Sequence, residues 1–205
     1  MNDITFFKRI PVGFIRANCY IISGGKTNAV LIDPGGDYEK LKTVLDGSNL
    51  RAEAVLLTHG HYDHHRAAKQ FQDAGAKIYM HAADREIIPY IHGFVKPVMF
   101  EPDFDVSDGE TLSLAGLEIK VMHTPGHSKG GVCYYINNVL FTGDTLFHGD
   151  VGRTDLPGGN AAALRESIRK KLYALPDDTV VYPGHEEETT IGEEKRFNNY
   201  VRSDG

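Results

Sequence analysis

Cysteine occurs only twice in the 205 residues, at Cys19 and Cys133, and both lie in apolar, strand-like text (Cys-Tyr-Ile-Ile and Val-Cys-Tyr-Tyr). Each reads as a small buried hydrophobe, not as half of a disulfide. Positive charge is scarce as well. Lys and Arg number 22 against 28 Asp and Glu, leaving a formal charge of -6 and no basic stripe, so nucleic acid has no electrostatic reason to bind. No apolar run approaches the roughly 20 residues that cross a bilayer. The first ten residues, which include Asp3, Lys8 and Arg9, lack the apolar stretch of a secretory signal. These absences lead to the expectation of an acidic, cytoplasmic chain with neither membrane nor nucleic-acid partners. A length of 205 residues is near the upper limit for one continuous core, so a single domain over 1–205 is expected.

Short apolar strands alternate with amphipathic helical text. Ile4–Ile10, Asn18–Ser23 and Ala29–Asp33 read as an antiparallel meander closed by Pro34-Gly35-Gly36. A helix over Tyr38–Leu45, a buried strand over Ala54–Leu57, a helix over His64–Ala74 and a strand over Ile78–Met80 follow. The stretch from Ile87 to Phe104 carries Pro89, Pro97 and Pro102 and reads as a loop that could serve as a lid. Leu117–Met122, Val132–Ile136 and Val139–Thr142 form a second set of strands, with Asn137-Asn138 as a tight hairpin turn. A helix from Ala161, capped by Asn160, presents Leu164, Ile168 and Leu172 on one face. Val180–Tyr182 is the last strand, and Thr190 with Glu193 forms a capping box for a final helix. Two similar halves of this kind imply an α/β (α+β) arrangement of two sheets packed face to face with helices outside.

The densest feature is Thr58-His59-Gly60-His61-Tyr62-Asp63-His64, between a buried strand and the start of a helix. Three imidazoles and a carboxylate so close together cannot share a core unpartnered, and metal coordination satisfies them together. His59 and His61, two apart, can aim at one ion. Asp63 and His64 can turn toward a second, with the helix dipole expected to keep His64 neutral. Three later elements repeat one grammar, a short apolar strand ending in a turn with glycine before a possible ligand: Pro125-Gly126-His127, Thr142-Gly143-Asp144 and Pro183-Gly184-His185. Each alone is a weak signal, since a lone His or Asp in a turn usually serves the turn itself. Together, in this order, they are a strong one. Glycine at these positions is expected to let the backbone approach the metal closely.

His-x-His-x-Asp-His followed by His127, Asp144 and His185 resembles the metallo-β-lactamase superfamily pattern, with every ligand position filled. The resemblance implies an αββα sandwich, with His59, His61 and His127 on one ion, Asp63, His64 and His185 on the other, and Asp144 bridging. Ala29-Val-Leu-Ile-Asp-Pro-Gly-Gly36, Val151-Gly-Arg-Thr-Asp-Leu-Pro-Gly-Gly159 and Thr190-Ile-Gly-Glu-Glu194 are similar to the glyoxalase II branch, in its short form without the C-terminal helical domain. One departure is His65-Arg66-Ala67, where relatives commonly carry a small or apolar residue and then glycines.

The resemblance implies a thioester hydrolase using two divalent ions, zinc foremost with iron or manganese as alternatives. Asp63 and Asp144 would be its catalytic carboxylates, Asp63 orienting the nucleophile, and its substrate a small anionic thioester of the S-acylglutathione type. A thiolate leaves with far less need of a proton than an amide nitrogen does. Arg153 is a candidate for a substrate carboxylate, with pairing to Asp155 as the alternative. Tyr62 and His148 are candidate pocket residues, and His92 lies in the proposed lid. The rival chemistry is an iron-dependent persulfide dioxygenase using His59, His127 and Asp144; a non-catalytic metal-binding role fits less well, since no ligand is missing.

Overall fold

The computed structural model describes residues 3–89 and 98–202. Two six-stranded sheets carry the fold. The first contains, in spatial order, β1 (Phe6–Val12), β2 (Ala17–Ser23), β3 (Asn28–Ile32), β4 (Arg51–Leu56), β5 (Lys77–Met80) and β6 (Phe104–Asp105). The second runs β12 (Thr189–Thr190), β11 (Val180–Pro183), β10 (Val139–Gly143), β9 (Val132–Ile136), β8 (Leu117–His123) and β7 (Thr111–Leu114). In each sheet antiparallel pairs give way to parallel ones, β3 to β4 and β10 to β11. Both changes require a crossover through a helix on the outer face.

The two-residue period of the buried strands divides the core into layers. In β2, Cys19 and Ile21 point to the outer face of the first sheet and meet Leu41 and Leu45 of α1 (Tyr38–Gly47) and Phe71 of α3 (Ala68–Asp73). Tyr20 and Ile22 point the other way and meet Val121, Tyr134 and Phe141 of the second sheet. On the far side, Cys133 and Val181 pack under Leu164 of α4 (Ala161–Ser167), Ile168 and Leu172 of the π-helical turn that continues it, and Ile191 of α5 (Ile191–Phe197). The result is the expected αββα sandwich, and both thiols are buried in its outer layers. Asn160 caps α4 through the N–H groups of Ala162 and Ala163, and Thr190 caps α5 through that of Glu193. Among the described residues no helix is long and apolar enough to cross a membrane.

Three expectations need correction. The helix expected over His64–Ala74 is broken into α2 (Tyr62–His65) and α3, because the Ala67 N–H donates to the Pro34 carbonyl at 2.9 Å and leaves the helical ladder. β7 was not expected: its text is polar, but it pairs with β8 through a turn at Ala115-Gly116, both at positive φ. Of the proposed lid, residues 90–97, and with them His92, lie outside the described residues. Its end instead joins the first sheet, with Phe100 buried in the outer layer and Phe104–Asp105 paired with β5.

Candidate metal centre

The sequence brings its ligand candidates to one edge of the sandwich, where loops from both sheets meet. β4 delivers His59 and His61, and α2 delivers Asp63 and His64, all from the first sheet. His127 follows β8, Asp144 follows β10 and His185 follows β11, all from the second. Besides a set of Asp33 with His59 and His64, the donor atoms form two groups, His59 with His61 and His127, and Asp63 with His64 and His185, each lying within 4.8 Å. Each of these two groups draws on both sheets. Asp144 stands between them, one oxygen 3.4 Å from His64 Nε2 and the other 3.6 Å from His127 Nε2 and 3.7 Å from His185 Nε2.

Supporting bonds fix which nitrogen faces the centre in His59, His64 and His127. His127 Nδ1 donates to the Arg153 carbonyl at 2.7 Å, leaving Nε2 toward the site. Thr58 Oγ1 donates to Asp33 at 2.6 Å and can therefore accept from His59 Nδ1 at 3.0 Å. Asp33 also takes the Thr58 N–H at 2.8 Å and sits 3.0 Å from His64 Nδ1. Such partners orient a ring and raise its basicity as a ligand. Asp33 is itself buried and held at φ 51, a left-handed conformation enforced by these bonds.

A second buried carboxylate does similar work between loops. Asp84, in the 3₁₀ turn Ala82–Ile87, accepts from the Gly60 N–H at 3.0 Å, from the Ser128 hydroxyl at 2.6 Å and from the Gly130 N–H. It ties the loop bearing His59 and His61 to the loop bearing His127. Neither Asp33 nor Asp84 was among the expected site residues. The Asp33-Pro34-Gly35 turn after β3 was visible, but its reach to His64 was not; Asp84 carries no local motif.

Glycine serves different ends at two of the ligand turns. At Gly184 a Cβ would lie 2.3 Å from Asp144 Oδ1 and 2.8 Å from His64 Cε1, so the final ligand loop presses directly on the centre. At Gly126, φ 143, the Cβ would strike the backbone of Leu164 at 2.3 Å. That glycine lets α4 approach, and the expectation of close approach to metal is corrected there.

The cluster's charges interact strongly. Burial, then the neighbouring imidazoles, holds His59 well below the usual histidine range, and burial followed by His127 pushes His61 down to about 3. Burial works against ionisation of Asp144, yet His64 foremost brings it down to about 2. Asp63 is likewise lowered, against its burial, by His64 and His185. Burial also opposes charge on His64, but Asp144 and Asp63 outweigh it and raise that ring's proton affinity. The ring lies in a single-turn helix, 3.3 Å from Asp63 and 3.4 Å from Asp144. His65 is wholly buried against Phe100, ring centroids 5.1 Å apart, and burial pushes it to about 4.

The residues suit a pair of metal ions. His59 Nε2, His64 Nε2 and Asp144 Oδ1 are buried without a hydrogen-bond partner among the described residues, an arrangement that costs about 1–3 kcal/mol per group unless a cation fills it. Beside them opens a cavity of about 830 Å³, floored by His61, Asp63, His127, Asp144 and His185. Tyr62 and Arg153 line it. Arg153 realises its alternative, pairing Nε and Nη2 of the guanidinium with Asp155, each at 2.7 Å. His148 is exposed and does not line the cavity.

An αββα sandwich with two adjoining His and carboxylate sets at its loop edge defines a metallo-hydrolase type of centre. Residues 12–185 match the model of the metallo-beta-lactamase superfamily. The hydroxyacylglutathione hydrolase GloC of Haemophilus influenzae is 39% identical over 95% of this chain and 97% of its own. The crystal structure of BLEG-1 B3 metallo-beta-lactamase superposes with a TM-score of 0.90 at 37% identity, covering 96% of this chain and 99% of that one. A di-iron-bound form of TTHA1623 gives a TM-score of 0.82 at 35% identity, over 95% and 100%. The chain belongs to the metallo-beta-lactamase superfamily.

Proposed function

We propose that the chain is a thioester hydrolase acting on small anionic acyl-thiol conjugates of the S-acylglutathione type. The observation that carries this reading is the position of Asp144 between two three-residue ligand sets on the floor of an open cavity. His59, His61 and His127 would hold one divalent ion, and Asp63, His64 and His185 the other, with Asp144 shared. Zinc is the first candidate, with iron and manganese as alternatives, since His and carboxylate donors suit all three. When bound, the ions would supply an acidified water near neutral pH and polarise the substrate carbonyl.

The chain's own groups then have definite tasks. Asp63 and Asp144, both held ionised, offset the charge of the cations and keep acceptors pointed at the centre. An Asp63 oxygen not engaged by metal can orient the attacking water. Asp33, Thr58 and the Arg153 carbonyl keep the three supported imidazoles aimed inward. Release of a thiolate, whose parent acid has a pKa near ~8.5, needs no strong proton donor, whereas an amine leaving group does. Among the described residues no lysine lines the cavity, and Tyr62 holds its proton more tightly than usual through burial. Similarity to GloC supports the same substrate class.

Elemental analysis of the purified protein combined with three assays tests this reading. They are hydrolysis of S-lactoylglutathione, hydrolysis of a chromogenic β-lactam, and oxygen uptake with glutathione persulfide. Two metals per chain with thioester turnover well above the β-lactam rate is the expected result. One metal per chain with oxygen uptake and no hydrolysis would overturn it.

A further inference from the structure

We propose that Arg16, at the tip of the β1–β2 hairpin, grips a carboxylate on the thiol portion of the substrate. It thereby sets a preference for a peptide-like thiol of low net charge over neutral or polyphosphate-bearing thiols. The proposal rests on the thioester reading and assigns its specificity.

Three arginines line the cavity: Arg9, Arg16 and Arg153. Two are already engaged, Arg9 with Glu188 at 2.6 Å and Arg153 with Asp155 through a two-pronged contact. A substrate carboxylate would have to displace an internal partner from either. Among the described residues no carboxylate pairs with Arg16, which is exposed at the cavity rim. Its planar donor fork matches a carboxylate in two-point geometry.

The hairpin holds that fork in register with the metal centre. Two residues beyond Arg16, the Asn18 N–H donates to Gly184 at 2.7 Å, and its side-chain amide donates to the carbonyls of Pro183 at 3.1 Å and Glu186 at 2.9 Å. Those bonds stitch β2 to the loop that carries His185. On the other side, the Gly13 N–H donates to Asp37 at 3.1 Å, and Gly13 packs so tightly on the Gly35 carbonyl that a Cβ would lie 3.2 Å from it. Phe14, Ile15 and Arg16 bow outward between these two anchors. Arg16 takes φ 59, a left-handed conformation that glycine adopts without penalty. An arginine held there, at a cavity rim and with no carboxylate partner among the described residues, points to use of its side chain.

The rest of the wall narrows the ligand. Ile15 and Phe147 provide apolar surface for an aliphatic thiol arm, and Glu186 and Glu187 line the same cavity. Those carboxylates repel a polyphosphate tail and accommodate an ammonium group. A thiol carrying carboxylates together with an ammonium fits both signs; one carrying several phosphates does not.

The test compares metal-loaded wild type, Arg16→Gln and Arg16→Lys on S-lactoylglutathione and on the uncharged S-lactoyl-N-acetylcysteamine. In Arg16→Gln the ratio of kcat/KM for the charged over the neutral thioester should fall about ten-fold, the scale of one charge-assisted hydrogen bond. The loss should sit mainly in KM, recover in part with Lys, and shrink at about 0.5 M salt. An unchanged ratio, or an equal fall on both substrates, overturns the proposal. Calorimetric binding of S-methylglutathione and S-methyl-coenzyme A reads the same contact without chemistry. If the wild type hydrolyses neither thioester, the thioester reading fails, and this binding arm still decides the role of Arg16. Weaker S-methylglutathione binding in Arg16→Gln supports it; equal affinity, or tighter binding of the coenzyme A derivative, overturns it.

Discussion

The Ser128 hydroxyl donates to Asp84 Oδ2 at 2.6 Å across 44 residues of sequence, and the same carboxylate takes the N–H groups of Gly60 and Gly130. The loops carrying His59, His61 and His127 are thus set against one another by a buried group that is not itself a ligand candidate. Asp84→Ala would leave three buried donors unpaired, at about 1 kcal/mol or more each. Urea unfolding should show a loss of about 3 kcal/mol, with a smaller loss for Asp84→Asn. Chelator competition on Asp84→Asn should show one of two ions weakened more than the other. A stability within about 0.5 kcal/mol of wild type for Asp84→Ala would sink this account.

Asp144 lies within reach of both ligand sets, 3.4 Å from His64 and 3.6 Å from His127. Asp144→Ala is expected to abolish tight binding of both ions, read as metal content after dialysis. Retention of two ions per chain would refute the shared role.

Asp103 links β5 to the chain entering β6, accepting from Lys77 at 2.8 Å, Gln72 at 2.9 Å and the Ile78 N–H at 3.0 Å. Its partial burial favours the protonated form, but these donors outweigh that and lower its pKa. The unfolded chain therefore takes up this proton first, near pH ~3.9. The contribution to stability is present above that pH and is lost as the pH falls toward the folded-state value. Asp103→Asn should flatten the acid limb of the stability profile by less than about 1 kcal/mol while changing stability at neutral pH by a similar amount. An unaltered profile below pH ~4 would count against the assignment.

His148 is exposed and absent from the cavity wall. His148→Ala should change kcat/KM for S-lactoylglutathione by less than about two-fold, within the range of neutral surface substitutions. A ten-fold loss would place it in the site after all.

The ligands were legible because each sits in a short motif at a strand end, where residue type and spacing carry the signal. The same holds for the layers of the core, since β2 and β3 alternate between two apolar faces. Asp33 and Asp84 were not legible as site residues, because a single carboxylate in a turn acquires its meaning only from donors that arrive 24 to 46 residues away. The break between α2 and α3 is another tertiary effect, created when the Pro34 carbonyl captures the Ala67 N–H. Of the two readings of Arg153, the pairing with Asp155 is the one seen in the structure, at the cavity wall. Arg16 carried no such signal in the sequence, where Arg153 alone was read as a candidate for a substrate carboxylate.

Each ligand set takes two members from the first sheet and one from the second. A bound ion is therefore a further crosslink between two halves of the molecule already joined at that edge by the bonds of Asp84 and Asn18. Cohesion and catalysis share a fastening. Truncating Phe141, deep between the sheets and outside the cavity lining, should be felt at the mouth as weaker metal retention.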